Sequence, residues 1–317
     1  MISFRFVALL TLIGFSFCAA TALAEDKSAK KYLIIHTDDA GMSHAVNVGT
    51  IEAMENGIVS SASIMVPCPW LPEFAEYARK NPDKDYGIHM TVNSEFKKYR
   101  WGPVAPPEKV PSLLDKDGYL HHGAMAVVSN ARAEEVEIEL RAQIDKALSM
   151  GIPLSHLDSH MGTLFMRKDL FEVYMKMGVE YDLPVLFTDK VEPRYARAYP
   201  GWVHKIEEKA KFTKERGMPI LSTIFMYYEG GDYAERKNVY LDVIRKKLKP
   251  GVNEIIIHCG VHGPELDNIT GSSQLRDSDR LIFQDKEVIE EIEKLGIEVI
   301  TWKQAVEITR KQTAFSE

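Results

Sequence analysis

Two adjacent carboxylates, Asp38 and Asp39, stand at the end of an apolar run beginning at Tyr32 and are followed by Ala40-Gly41. Imidazoles fall at comparable places further on. His89 closes Tyr86-Gly87-Ile88-His89, His156, Asp158 and His160 share His156-Leu-Asp-Ser-His160, and His258 ends Glu254-Ile-Ile-Ile-His258. Two imidazoles and one carboxylate suit a divalent ion that keeps a position open for water. Zinc fits that ligand type best, and magnesium or manganese would also serve. Adjacent side chains on an extended strand point in opposite directions. One aspartate can therefore bind the cation while the other stays free as a base. His156 and Asp158 exceed what one ion needs and read as groups that orient His160 or Asp39. His36, inside the first strand, and His121-His122 read as structural or solvent-exposed. The bland alternative for Asp38-Asp39 is the start of a loop, with Ser43 capping a helix near His44.

The elements that must position these residues alternate regularly. Strand-like runs lie near 32–37, 59–66, 86–91, 154–157, 184–187, 219–224, 254–258 and 297–301. Helical periods fall near 43–56, 70–80, 132–149, 167–181, 203–216, 233–248, 284–295 and 303–313. Eight β-then-α units predict a single α/β domain, a (β/α) barrel over residues 25–317, with a doubly wound open sheet as the other arrangement. The candidate residues then share the C-terminal ends of strands, the face where barrel active sites lie. Residues 93–130 interrupt the rhythm with a proline-rich stretch carrying Phe96, Tyr99, Trp101 and Tyr119. It is expected to be a loop or lid whose aromatics either stack on sugar rings or pin the loop to the body.

With 45% hydrophobic and 27% charged residues in 317, the composition is that of an ordinary globular chain, neither disordered nor a coiled coil. Residues 1–24 carry one charge, Arg5, an apolar centre and the ending Ala22-Leu23-Ala24, the layout of a cleaved secretory signal. The expected mature protein is secreted or periplasmic, without stable membrane insertion. A retained anchor is the alternative, although Thr, Gly and Ser interrupt the apolar stretch. Removing Arg5 from 39 basic residues leaves 38 against 46 acidic ones, a net charge near −8 that disfavours nucleic acid as a partner. Cys68 and Cys259 read as free packed residues, and no Cys-x-x-Cys knuckle occurs. The oligomeric state is not legible.

The ordered set Ile35-x-x-Asp-Asp-x-Gly-x-Ser43, Asn47, Gly57-Ile-Val-x-Ser61-x-Ser63-x-Met65, Gly87-x-His89, Val110-Pro-Ser-Leu113, Asp117-Gly118, His156-x-Asp-x-His160 and Ile257-His258 resembles the YdjC-like carbohydrate deacetylases, which include chitooligosaccharide and hopanoid-sugar deacetylases. The resemblance covers nearly the whole mature chain. It implies a distorted barrel related to NodB-type polysaccharide deacetylases and metal-dependent removal of N-acetyl groups from a sugar or oligosaccharide. On that pattern Asp39, His89 and His160 match metal ligands, Asp38 the base and His258 the acid, and Arg276 in Leu275-Arg-Asp-Ser-Asp279 matches a late arginine near the site. Two departures are visible. Gly162 stands where a further histidine is common, and Cys259-Gly260 follows His258 where proline is usual. A phosphoesterase-type barrel hydrolase and a non-catalytic sugar-binding protein are the competing readings. A phosphoesterase would be expected to add basic groups or a second metal, and a binder has no need of both Asp38 and His258.

Overall fold

The computed structural model describes residues 30–190, 200–229 and 231–314, so the expected signal segment lies outside the described residues. Apolar runs build one parallel sheet from β1 (Lys31–Ala40), β2 (Ser61–Ile64), β3 (Tyr86–Met90), β4 (Leu154–Ser159), β5 (Thr223–Met226), β6 (Gly251–Ile257) and β7 (Glu298–Val299). Its order is β4-β3-β2-β1-β6-β5, with β7 also paired to β1. Helices α1 (His44–Asn56), α2 (Leu71–Lys80), α3 (Ala124–Asn130), α4 (Ala133–Ser149), α5 (Lys168–Glu180), α6 (Pro200–Glu215), α7 (Tyr233–Lys246), α8 (Pro264–Ile269), α9 (Ser273–Ile282), α10 (Lys286–Lys294) and α11 (Trp302–Ala314) form the crossovers and the C-terminus. The fold is an α/β distorted barrel.

Strand alternation sorts the side chains. Leu33, Ile35, Ile88, Leu157, Ile255 and Ile257 join the large apolar core, with Val46, Phe74, Val136, Leu140 and Ile144 from the helices. The opposite faces of the same strands carry His36, Ser61, Ser63, His89, His156, Asp158 and Glu254, all buried. Gly87 is required here, because a Cβ at that position would lie 2.3 Å from His156 Nε2.

The expected eight-strand closure is corrected in two places. The run 184–187 forms a single bridge, Leu157 to Val185, instead of a strand. Pro184 has no N–H to give a ladder. The run nevertheless spans the gap in the open seven-strand ladder. Leu157 N donates to Pro184 O (2.9 Å), Leu186 N to Leu157 O (2.8 Å), and Leu221 N to Phe187 O (2.9 Å). The last strand is the second correction. The two residues of β7 do not lie between β6 and β1, which pair directly from Lys31 to Thr37, but flank β1 at Tyr32 and Leu33. The segment 93–130 is also more ordered than expected, with 3-10 turns at Pro107–Lys109 and Pro111–Leu113 before α3.

Candidate active site

The end of β1 departs from regular extension. Its register against β2 shifts between Thr37 and Ala40, and Asp39 adopts φ 72°. Such a conformation costs a non-glycine residue on the order of 1–3 kcal/mol. At the bulge the strict alternation expected for the two aspartates fails. Asp39 Oδ1 comes to 3.5 Å and Asp38 Oδ2 to 3.6 Å from the same atom, His89 Nε2. Asn47 holds this turn, its Oδ1 accepting from Gly41 N at 2.7 Å and its amide donating to Glu73 Oε2 at 2.7 Å.

Asp39, His89 and His160 converge from the ends of β1, β3 and β4, each offering one ligand atom within 4.8 Å of the others. His160 Nδ1 is 3.4 Å from Asp39 Oδ1. Ligands about 2.0–2.1 Å from a tetrahedral ion lie roughly 3.3–3.4 Å apart, so these spacings fit one. The buried Asp39 Oδ1 makes no hydrogen bond among the described residues. Both imidazoles are set by their remote nitrogens: His89 Nδ1 pairs with Asp158 Oδ1 at 2.6 Å, and His160 Nε2 lies 3.1 Å from each oxygen of Glu95. This is the carboxylate–histidine arrangement that presents a fixed ring nitrogen to a metal.

The electrostatics point the same way. Burial opposes charging of His160, but Glu95 and Asp39 outweigh it and lift its pKa to about 10. Burial likewise opposes charge on His89, yet Asp158 and Asp38 raise it. Burial alone would raise Asp39. Arg276, whose Nη2 lies 2.6 Å from Asp39 Oδ2, and His160 hold it well below the usual carboxylate range instead. The cluster of carboxylates draws protons onto its histidines, and a cation binding there would replace them.

His258 sits across Asp38, its Nε2 3.8 Å from Asp38 Oδ2. Its backbone N donates to Asp279 Oδ2 (3.1 Å), and Asp279 is held in turn by Arg236 (2.6 Å) and Tyr240 (3.0 Å). Burial lowers the His258 pKa to about 4 despite Asp38 and Asp39, so the ring is neutral at pH 7. Trp101 is 3% exposed and donates to Asn93 O at 2.9 Å, with its ring 6.4 Å from that of His160. His156 lies deeper, stacked on Trp302 at 5.0 Å, and its ligand atoms are outside the Asp39 cluster.

A family profile described as YdjC-like protein matches residues 32–294. The chain is 30% identical over 260 residues to a carbohydrate deacetylase of Thermoanaerobacter pseudethanolicus, covering 82% of this chain and 93% of that one. The chain belongs to the YdjC-like family. A carbohydrate deacetylase of Thermus thermophilus is 33% identical over 236 residues, 74% of this YdjC-like chain and 80% of the relative. Among solved structures, a protein of Enterococcus faecalis V583, provisionally assigned to cellobiose-phosphate cleavage, superposes with a TM-score of 0.72 at 25% identity. The match covers 87% of this chain and 99% of the other.

Three residues near the YdjC-like site escaped sequence reasoning. Glu95 lies in the irregular segment, and Tyr228, 45% exposed, follows β5 with its ring 4.9 Å from that of His258. His36, expected to be structural or exposed, is fully buried and touches Asp38 and Asp158. None of the three has a motif of its own. Only the strand parity of His36 with Asp38 was available as a signal. The two departures from the family pattern have local accounts. Gly162 has φ 62°, which disfavours any side chain there. Cys259 N donates to Thr37 Oγ1 at 3.1 Å, a bond proline could not make. Cys68 and Cys259 are free and buried.

Proposed function

We propose that the chain is an exported, metal-dependent hydrolase that removes N-acetyl groups from an amino sugar or oligosaccharide. The observation that carries this reading is the Asp39-His89-His160 cluster beside Asp38 and His258, in a family whose curated relatives are named carbohydrate deacetylases. Asp39, His89 and His160 would hold the ion, zinc being favoured over magnesium or manganese by two imidazoles and one carboxylate. A divalent ion there supplies a Lewis acid for the acetamide carbonyl and lowers the pKa of water.

Asp38 acts as the base through Oδ2, taking the proton of the attacking water. Since His258 is neutral in the resting site, the proton it gives to the departing amine must reach it during the reaction, and Asp38 Oδ2 at 3.8 Å is the donor at hand. Arg276 keeps Asp39 ionised, while Asp158 and Glu95 fix the two imidazole rings. Acetate and a free amino sugar leave. Residues 25–317 act as one domain, and the 93–130 segment covers the site by anchoring Trp101 and Glu95 near His160.

A phosphoesterase is the weaker reading. The other cation group at the rim, Asp38-His89-Asp158, shares His89 with the first, and His89 Nδ1 is already bonded to Asp158. Arg276 gives Nη2 to Asp39, leaving one buried guanidinium nitrogen, Nη1, as the single basic donor without a partner there among the described residues. The test is acetate release from a panel of N-acetylated mono- and oligosaccharides, run beside phosphate release from sugar phosphates. Acetate from at least one sugar, lost in Asp38→Asn, is expected. Phosphate release, or sugar binding without turnover, would overturn the proposal.

A further inference from the structure

His36 lies below the rim, fully buried, and its two ring nitrogens meet four side chains. Nε2 is 3.1 Å from Asp38 Oδ1, 3.0 Å from Asp158 Oδ2 and 3.1 Å from Ser63 Oγ, and Nδ1 is 3.0 Å from Ser61 Oγ. Hydrogen-bond accounting fixes the ring's protons. The single hydroxyl proton of Ser61 goes to Asp85 Oδ1 (2.8 Å), so toward His36 this oxygen can only accept, and Nδ1 must carry hydrogen. The carboxylates at Nε2 are acceptors as well, so Nε2 must also carry hydrogen. His36 is an imidazolium.

The other groups around it agree. The Glu254 carboxyl below has no hydrogen-bond partner among the described residues, and burial lifts its pKa to about 8, so it is protonated at pH 7 and does not compete for the imidazolium. The His156 ring approaches edge-on at 5.0 Å, and burial lowers its pKa, which leaves it neutral. His36 is therefore the buried cation shared by two carboxylates whose other oxygens face the site. Asp38 Oδ2 is directed at His89 and His258, and Asp158 Oδ1 at His89 Nδ1.

We propose that His36 is a positioning residue: a buried imidazolium that clamps Asp38 Oδ1 and Asp158 Oδ2 together, aiming the base with one contact and the metal-binding ring of His89 with the other. The proposal rests on the deacetylase reading for its kinetic consequence but not for its structural one. A neutral ring, its one hydrogen held at Nδ1 by Ser61, would turn an unprotonated Nε2 toward two buried carboxylates, and either could swing or take up a proton.

Two measurements test it. In the purified wild-type protein, 15N-histidine NMR, with His36 assigned through His36→Gln or by backbone correlation, should show both ring nitrogens protonated across pH 6–8.5. A singly protonated ring would overturn the clamp. On an acetylated sugar, His36→Gln should lower kcat by about tenfold to a hundredfold, with KM and bound metal changed by less than about threefold. In an Asp38→Asn background the same substitution should cost less, because one of the two groups it aims is already disabled and only the Asp158–His89 contact is left to lose. An equal loss in both backgrounds would reduce His36 to a packing residue. If His36→Gln does not fold, the wild-type spectrum still decides. If no acetylated sugar is turned over, the deacetylase reading fails while the spectrum judges the imidazolium separately.

Discussion

At the floor of the barrel, Ile34, Leu221, Val252, Ile300 and Trp302 close an apolar plug. Two residues further along β1, His36 starts a column of buried charge that passes through Asp38 and Asp158 to the rim at Asp39, His89, His160 and His258. The floor and the rim are built from the same strands but are held differently. The floor is stabilised by area removed from water, roughly 25 cal/mol per Å². The rim and the column below it bury ionisable groups within a few ångströms of one another, tolerable because the charged ones are paired and the unbonded His258 ring is neutral. The floor should therefore govern stability, and the rim chemistry.

The largest expected effect falls at the floor. Trp302 is fully buried, and Trp302→Ala should remove about 3–5 kcal/mol of stability, read by denaturant unfolding, with metal binding by the folded fraction retained. Loss of metal with unchanged stability would reverse the division. Next, Asp38→Asn should keep fold and ion yet lose on the order of a hundredfold or more in turnover, measured as acetate release. A smaller effect is expected at Glu95, which touches His160 and no other ligand. Glu95→Gln should weaken metal affinity by about tenfold in a chelator competition, and unchanged affinity would make the contact incidental. The smallest is Tyr228→Ala, which removes an exposed ring beside His258. KM should rise about threefold to tenfold with kcat nearly constant, whereas a collapse of kcat would place the ring among the reacting groups.

The rim was largely legible in the sequence and the floor was not. Strand direction alone carries Asp39, His89 and His160 to the same C-terminal rim, so their places at the ends of apolar runs were signal enough, although parity fails for Asp39 at its bulge. The fully buried strands showed no alternation, because both faces are covered, and that hid which side held Ile34 and which held Leu33. Apart from Asp38, the partners of His36 lie 25, 27 and 122 residues away, distances no local pattern encodes. Asp39 turns at a bulge that depends on β2, and the run 184–187 loses its strand to Pro184 and a distant partner. The helices at 264–269 and 273–282, which bring Arg276 to Asp39, were not read from the sequence because they are short and polar.

The proposed chemistry depends on Asp39 holding the ion while Asp38 stays free as the base. Metal content of the purified chain and its variants, by elemental analysis after equilibrium dialysis against zinc, tests this most directly. The expected result is one ion per chain, kept in Asp38→Asn and His258→Ala and lost in Asp39→Ala, His89→Gln and His160→Gln. Retention of the ion in all three ligand variants, or its loss in Asp38→Asn alone, would contradict the assignment and the mechanism built on it.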